Sequence, residues 1–224
     1  MYVGLRMMTR VVTVMPDTLL IDAHNLMEEN RLWMLPVVNK KGKLLGYIQK
    51  EDVRAALPSR ATMLDRYELN TVLARLTIKE IIQKDSVTVT PETDIEAAAE
   101  IMARKELPGL AVVDSSSKLV GYIDQRIMLD VLVEEMGLHR GGKRFAIEFQ
   151  DRPGVMAEVS KIISDFGINF VSAASFYRNN TCILVFRVQT DDLTPVIKTL
   201  NERNYNVVGP EYFAKEWSEV RQQP

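Results

Sequence analysis

The sequence predicts a mixed α/β (α+β) protein in which two β-α-β-β-α repeats precede a ferredoxin-like βαββαβ unit. Two observations carry this prediction. Sliding the 224-residue chain over itself by 75 residues aligns Val12–Ile48 with Val87–Ile123 without a gap, and 16 of the 37 positions are identical, where chance gives about two or three. Beyond Gly141-Gly142 the hydrophobic pattern changes to a new succession of strand and helix periods.

Each repeat carries the same punctuation. Val11–Val14 and Val87–Val89 read as short strands, followed by Pro16 and Pro91, which cannot donate to a continuing ladder. Thr18 and Thr93 suit helix N-caps, with Glu96 completing a capping box in the second copy. Leu19 or Leu20, Ala23, Leu26 and Met27, and then Ile95, Ala98, Ile101 and Met102, form one apolar stripe at helical spacing. Leu35–Val38 and Leu110–Val113 are apolar runs suited to buried strands. Polar turns at Asn39–Lys43 and Asp114–Lys118 lead into Leu44–Ile48 and Leu119–Ile123, completing a hairpin in each copy. A last helix starts near Glu51 and near Gln125.

Between the repeats, Met63 or Leu64, Tyr67, Val72, Leu73 and Leu76 predict a linker helix that begins after Pro58. It either covers the flank of the pair or makes a dimer contact anchored by Tyr67. The expected divisions are repeat 1 at 1–57, linker helix at 58–80, repeat 2 at 81–137, a second linker at 138–142, the third unit at 143–210 and a tail at 211–224.

In the third unit, Phe145, Ile147 and Phe149 alternate as in a half-buried strand. Asp151-Arg152-Pro153-Gly154 turns the chain into a helix that buries Val155, Val159, Ile162, Ile163 and Phe166 and stops at Gly167. Strands at Asn169–Phe176 and Cys182–Val188 flank a turn at Arg178–Asn180. A helix with Leu193, Val196, Ile197 and Leu200 precedes a last strand at Asn206–Val208. Tyr212, Phe213 and Trp217 make the tail a short amphipathic segment.

Composition narrows the function. Hydrophobic residues at 46% and charged residues at 26% permit a core. A formal net charge of -2 and a pI near 5.8 lack the basic footprint of a nucleic-acid binder. No apolar run reaches the length of a membrane span, and the single cysteine, Cys182, fits a reducing compartment, so a cytoplasmic location is expected. His24 and His139 have no second ligand at metal spacing, and no P-loop, dinucleotide fingerprint or nucleophile elbow occurs. The expectation is a protein that is not an enzyme and holds no metal.

Strand-Pro-x-Thr, helix, LPVV and then GKLLGYIxxxD resemble a CBS domain, and the tandem copy resembles a Bateman module. The resemblance implies a regulatory pair with two clefts for adenosine nucleotides such as AMP or ATP. In nucleotide-binding CBS repeats the glycine is followed at +3 by a hydroxyl that contacts phosphate and at +6 by an aspartate that accepts from the ribose diol. From Gly46 these positions are Gln49 and Asp52; from Gly121 they are Asp124 and Ile127. The first repeat's cleft is therefore the better candidate. Thr13 lines the adenine, Asp52 holds the ribose, Gln49 donates to phosphate and Lys50 or Arg54 reaches it, with Thr88 the counterpart of Thr13. Asp52 as a helix cap, and Lys50 and Arg54 as solvated charges, are the bland alternatives.

YELN-x-x-L and T-I-K-E-I-I resemble the acetoin-utilisation AcuB family, which implies a link to acetoin or acetyl metabolism. The D-R-P-G-x-M-A turn with F-G-I-N resembles an ACT domain. That resemblance implies side-by-side homodimers and amino-acid binding through Asp151, Gly154 and Asn169, although Asp151 also suits a simple helix cap. The expected function is a ligand-sensing regulator, a homodimer or higher homo-oligomer acting on an unknown enzyme, with neither nucleic acid nor membrane as partner. The alternative is a partner-docking protein with degenerate clefts.

Overall fold

A β-hairpin stands at the centre of each repeat: β1 (Met34–Val38) with β2 (Leu44–Gln49), and β4 (Gly109–Val113) with β5 (Leu119–Asp124). In this computed structural model the described residues are 1–58, 68, 71, 73–178 and 181–214. They fall into two compact units, Met1–Leu129 and Asp130–Pro224. The expected linker anchor Tyr67 and the tail residue Trp217 lie outside the described residues.

The two hairpins share fine detail. Both carry a bulge at the same place, Val37/Val38 and Val112/Val113. Both turns are closed by an acceptor side chain. Asn39 Oδ1 takes the amides of Lys41 and Lys43 at 2.9 and 3.0 Å, and Asp114 Oδ1 takes those of Ser116 and Lys118 at 2.9 Å each. β3 (Thr88–Val89) adds in parallel to β4, whereas in the first repeat this strand shrinks to the single bridge Val14↔Val37. Around the hairpins lie α1 (Leu20–Glu29), α2 (Lys50–Ala56), α3 (Ile95–Lys105) and α4 (Gln125–Glu135), within which the chain passes into the second unit.

The repeats are interlocked through the segments that precede them. Ile78, from the segment leading into the second repeat, is fully buried in the core of the first, with Leu20, Ala23, Met27, Leu35 and Ile48. Its counterpart 75 residues earlier, Val3, is also fully buried, and its amide bonds Thr93 O at 2.9 Å as that of Ile78 bonds Thr18 O at 3.1 Å. The first helical amides, of Leu20 and Ile95, are met by the carbonyls of Leu76 and Met1 at 2.8 and 2.9 Å. Met8 and Tyr122 exchange both backbone bonds, as do Gln83 and Tyr47. Between the hairpins, Leu44 N reaches Ser117 O and Leu119 N reaches Gly42 O, both at 3.1 Å. Each of these bonds has a partner offset by 75 residues at both ends, the mark of a pseudo-twofold axis.

This interlock corrects the expected helix caps. Thr18 and Thr93 do not cap: their hydroxyls accept from the amides of Met15 and Thr90, closing the preceding turn, and the N-caps are Leu19 and Asp94 without side-chain bonds. Backbone carbonyls from the leading segments do the work of a cap instead.

The second unit has the element order β6 (Lys143–Gln150), α5 (Val155–Asp165), β7 (Phe170–Arg178), β8 (Thr181–Val188), α6 (Thr194–Glu202) and β9 (Asn206–Val208). Its four strands pair antiparallel in the order β7-β8-β6-β9, a ferredoxin-like sheet. Phe145, Ile147, Leu184 and Phe186 pack with Val159, Ile163, Val196 and Leu200 of the helices in one core. Cys182 is buried there, and burial pushes its thiol pKa up. Phe166, expected on the buried helix face, is instead the C-cap of α5 and exposed.

Candidate functional site

Two glycines set how the repeats of the first unit pack against each other. A methyl on Gly46 would lie 2.5 Å from the carbonyl oxygen of Gln83, and one on Gly121 would lie 2.4 Å from Met7 Sδ. Only glycine lets the leading segment of one repeat lie against the hairpin of the other. That packing brings Gln83 to Asp52. The Gln83 amide donates to Asp52 Oδ2 at 2.6 Å, in a half-buried position. At the corresponding points of the other cleft stand Met8 and Ile127, and Ile127 is buried. One cleft holds a carboxylate acceptor and an amide; the other offers only apolar groups at the same two places.

Asp124, the +3 residue of the second repeat, has a local role. Its Oδ1 accepts the Ile127 amide at 2.8 Å, so it caps α4. Helix capping thus belongs to Asp124 and not to Asp52. The charge of Asp124 also adds to burial in raising the pKa of Tyr122.

Lys50 and Arg54 turn away from Asp52. Lys50 is buried apart from 9% of its surface, lies 5.3 Å over the Trp33 ring and pairs with Glu28 Oε2 at 3.0 Å. Arg54 pairs with Glu28 Oε1 at 2.9 Å. Their hydrogen bonds, Lys50 first, hold the Glu28 carboxyl below the usual carboxylate range. Residues 50 and 54 are one helical turn apart and share a face, whereas residue 52 points elsewhere. The structure therefore does not gather Lys50, Arg54 and Asp52 into one cluster. His24 lies 3.7 Å from Glu28, and among the described residues no cluster of potential metal ligands occurs.

Gln49 and Lys50 instead meet the second repeat. With Trp33, Glu51, Glu106, Pro108 and Gln125 they line a cavity of about 200 Å³. Beside it a cavity of about 480 Å³ is lined by Arg31, Trp33, Pro108, Asp124, Gln125, Arg126 and Leu129. Arg31 and Glu106 occupy equivalent left-handed positions with φ of 54° and 53° and opposite charges, so the pseudo-twofold is electrostatically broken here. Thr13 and Thr88 sit beside and within the parallel pairings Val14↔Val37 and Thr88↔Ala111.

A family profile described as the CBS domain matches residues 3–59 and 78–134, half of the chain. The two matches are offset by 75 residues and include the leading segments. The chain belongs to the CBS-domain family. It is similar to the uncharacterized protein MJ1426 of Methanocaldococcus jannaschii, with 25% identity over 149 residues, 56% of this chain and 88% of that protein. It is 34% identical over 113 residues to inosine-5'-monophosphate dehydrogenase of Korarchaeum cryptofilum, covering half of this chain but only 20% of that enzyme. Among solved structures, a protein proposed for acetoin utilization (AcuB) from Vibrio cholerae superposes with a TM-score of 0.52 at 23% identity, over 64% of this chain and 98% of that one. At that identity the likeness is one of fold. Among the described residues no helix is long and apolar enough to cross a membrane.

The residue missed in the sequence was Gln83. The leading segments Met1–Val11 and Leu76–Ser86 share no identity at the 75-residue offset. Only the apolar pairs Met1/Leu76, Val3/Ile78 and Met7/Ile82 carry the signal.

In the second unit, Asp151 follows β6, Gly154 opens α5 with φ of 92°, and Asn169 precedes β7. The register places them apart. Gln150 and Arg178 both pair with Thr181 at one end of the sheet, whereas Lys143 and Phe170 both pair with Val188 at the other. Asn169 thus stands a whole strand from Gly154, about 20 Å at roughly 3.3 Å per residue. The expected amino-acid site, placed at an interface between two copies, is thus not assembled from Asp151, Gly154 and Asn169 of a single chain. Beside Gly154, Glu158 accepts both Arg152 nitrogens at 2.7 and 2.8 Å and the Tyr205 hydroxyl. These bonds, that from Arg152 first, draw the Glu158 pKa down to about 2.

Proposed function

We propose that the first unit is a regulatory sensor for an adenosine nucleotide or a related ligand, bound in the first repeat's cleft. The observation that carries this reading is the Asp52–Gln83 pair, whose counterparts 75 residues away, Ile127 and Met8, are apolar. An acceptor carboxylate suits a ribose diol, and the Gln83 amide occupies it until a diol replaces it. In this reading Gln49, three residues before Asp52, donates to phosphate and Thr13 lines the adenine. Phosphate contact by Lys50 or Arg54 requires either to leave Glu28. Thr88 and the second cleft bind such ligands poorly, since Ile127 offers no acceptor.

The test is equilibrium titration with labelled AMP, ATP and S-adenosylmethionine. One saturable site per chain, lost in Asp52→Ala, supports the reading. No binding by the wild type, or unchanged binding in Asp52→Ala, overturns it.

A second reading, partner docking, is favoured for the second cleft by the capping role of Asp124 and the burial of Ile127. For the second unit, the D-R-P-G turn and the strand order support an ACT-like pairing of two copies. Antiparallel pairing of two sheets along one edge sets Asp151 and Gly154 of one copy near Asn169 of the other, where an amino acid would bind. Analytical ultracentrifugation with and without amino acids checks this, and a strict monomer refutes it. Resemblance to the AcuB family is what supports a link to acetoin or acetyl metabolism.

A further inference from the structure

The helices of the second unit cover one face of its sheet, and the other face carries a second site. Residues alternate along each strand: Phe145, Ile147, Leu184 and Phe186 point to the helices, and the opposite face receives Arg144, Ala146, Ile183, Val185, Arg187 and Val208. Ala146, Val185 and Val208 form a small buried cluster there, joined by Ile183 and Phe213. Around it lies a groove of about 330 Å³, walled on one side by the turn Pro210–Phe213. That wall is held in place. The Tyr212 hydroxyl donates to Glu148, and the Arg178 guanidinium lies 5.9 Å over the Phe213 ring.

Among the described residues, the charge of Arg144 at the groove is positive and unpaired. Arg144 and Arg187 stand directly opposite one another across β6 and β8, an arrangement that repels. Among the described residues Arg187 bonds backbone carbonyls, those of Met136 at 3.1 Å and of Gly141 and Gly142 at 3.5 and 3.4 Å. Arg144 is exposed at the groove and has no hydrogen-bond or ion-pair partner among the described residues. The acid on this face, Glu148, is occupied by Tyr212 and Thr181, and Glu211 folds against Gly209.

We infer that this groove binds a small amphipathic monocarboxylate, its apolar body on Ala146, Ile183, Val185 and Val208 and its carboxylate on Arg144. The exposed Arg144 guanidinium calls for an anion, and the apolar floor calls for a hydrocarbon or aryl body. The volume admits about eleven heavy atoms at roughly 30 Å³ each, the size of octanoate or phenylpropionate. Arg187 is committed to the Met136–Gly142 loop, which Ser172 also ties down, and this leaves Arg144 as the cation that lines the groove. A groove of this volume suits a small molecule rather than a strand or helix of a protein partner.

Isothermal titration of the full-length protein with octanoate, octanol and octylamine tests the inference. Octanoate should bind at one site per chain, about tenfold or more tighter than octanol, and octylamine should not bind. Arg144→Gln, a surface change, should reduce octanoate to the level of octanol. Ala146→Phe should fill the floor and abolish both. No octanoate binding by the wild type, or binding that Arg144→Gln leaves unchanged, overturns the inference. So does a dimer that Ala146→Phe dissociates, because a second copy then fills the groove.

Discussion

Replacing Gly46 by alanine drives a methyl group to 2.5 Å from Gln83 O and 2.6 Å from Ile82 Cγ2. The carbonyl must retreat by about 1 Å to reach ordinary contact, and it is backbone that cannot rotate away. The retreat breaks the two Tyr47–Gln83 backbone bonds, now 2.9 and 3.2 Å, at about 1 kcal/mol each. Local overpacking adds about 1–3 kcal/mol, for a total of about 3–5 kcal/mol. Gly121→Ala is the internal control. Its methyl meets Met7 Sδ at 2.4 Å and Met7 Cγ at 2.9 Å, but the backbone oxygen of Met8 only at 3.2 Å. A flexible thioether can swing aside, so this change costs about 1 kcal/mol. Thermal melts of the two variants should therefore differ by about 8–16 °C, at roughly 4 °C per kcal/mol for a unit of this size. Equal shifts, or a larger loss at Gly121, would refute the view that the leading segments are clamped by backbone contact.

Three further outcomes are expected. Gln83→Ala removes the group that competes for Asp52, so it should lower the melting temperature by a few degrees and tighten AMP binding by about tenfold; unchanged or weaker binding counts against the displacement step. Asp124→Ala should lower stability by about 1 kcal/mol through loss of the α4 cap, with nucleotide affinity unaffected; loss of affinity would return Asp124 to the ligand site. The carboxyl of Glu158 is depressed from 4.5 to about 2 on folding, so its contribution is present above about pH 4.5 and is lost as pH falls toward 2. Arg152→Met should flatten that acid limb in urea titrations of stability, and an unchanged limb would show that the exposed pair contributes nothing.

The repeat architecture was legible because identity extends beyond the apolar core to positions where backbone geometry is demanding, Gly46/Gly121 and Pro16/Pro91, and because the turn acceptors Asn39 and Asp114 are equivalent in kind. The leading segments were illegible for the converse reason. Their pairing uses backbone groups and three apolar side chains, which any greasy residue satisfies, so Met1–Val11 and Leu76–Ser86 drifted apart. Thr18 and Thr93 carry a capping signature that tertiary carbonyls pre-empt. The candidate site divides likewise. The difference between Asp52 and Ile127 was visible at fixed spacing, but its partner Gln83 is a long-range neighbour from the other repeat. Lys50 and Arg54 looked available only because their counter-ion, Glu28, lies 22 residues before the first of them. Asp151, Gly154 and Asn169 are close in sequence, but α5 carries the chain the full length of the sheet between them.

The exchange of leading segments has a bearing on how the first unit can be taken apart. A chain ending at residue 58 would lack Ile78 in its core and the Leu76 carbonyl at its first helix, so it should not fold alone. Two separated halves would each present the lock that the other needs, and should recover structure only on mixing. A single ancestral repeat would have faced the same requirement and met it by joining a second copy of itself. On that view the gene fusion made permanent an association that had been reversible, and freed each cleft to change without its twin. Asp52 on one side and Ile127 on the other are what that freedom allows.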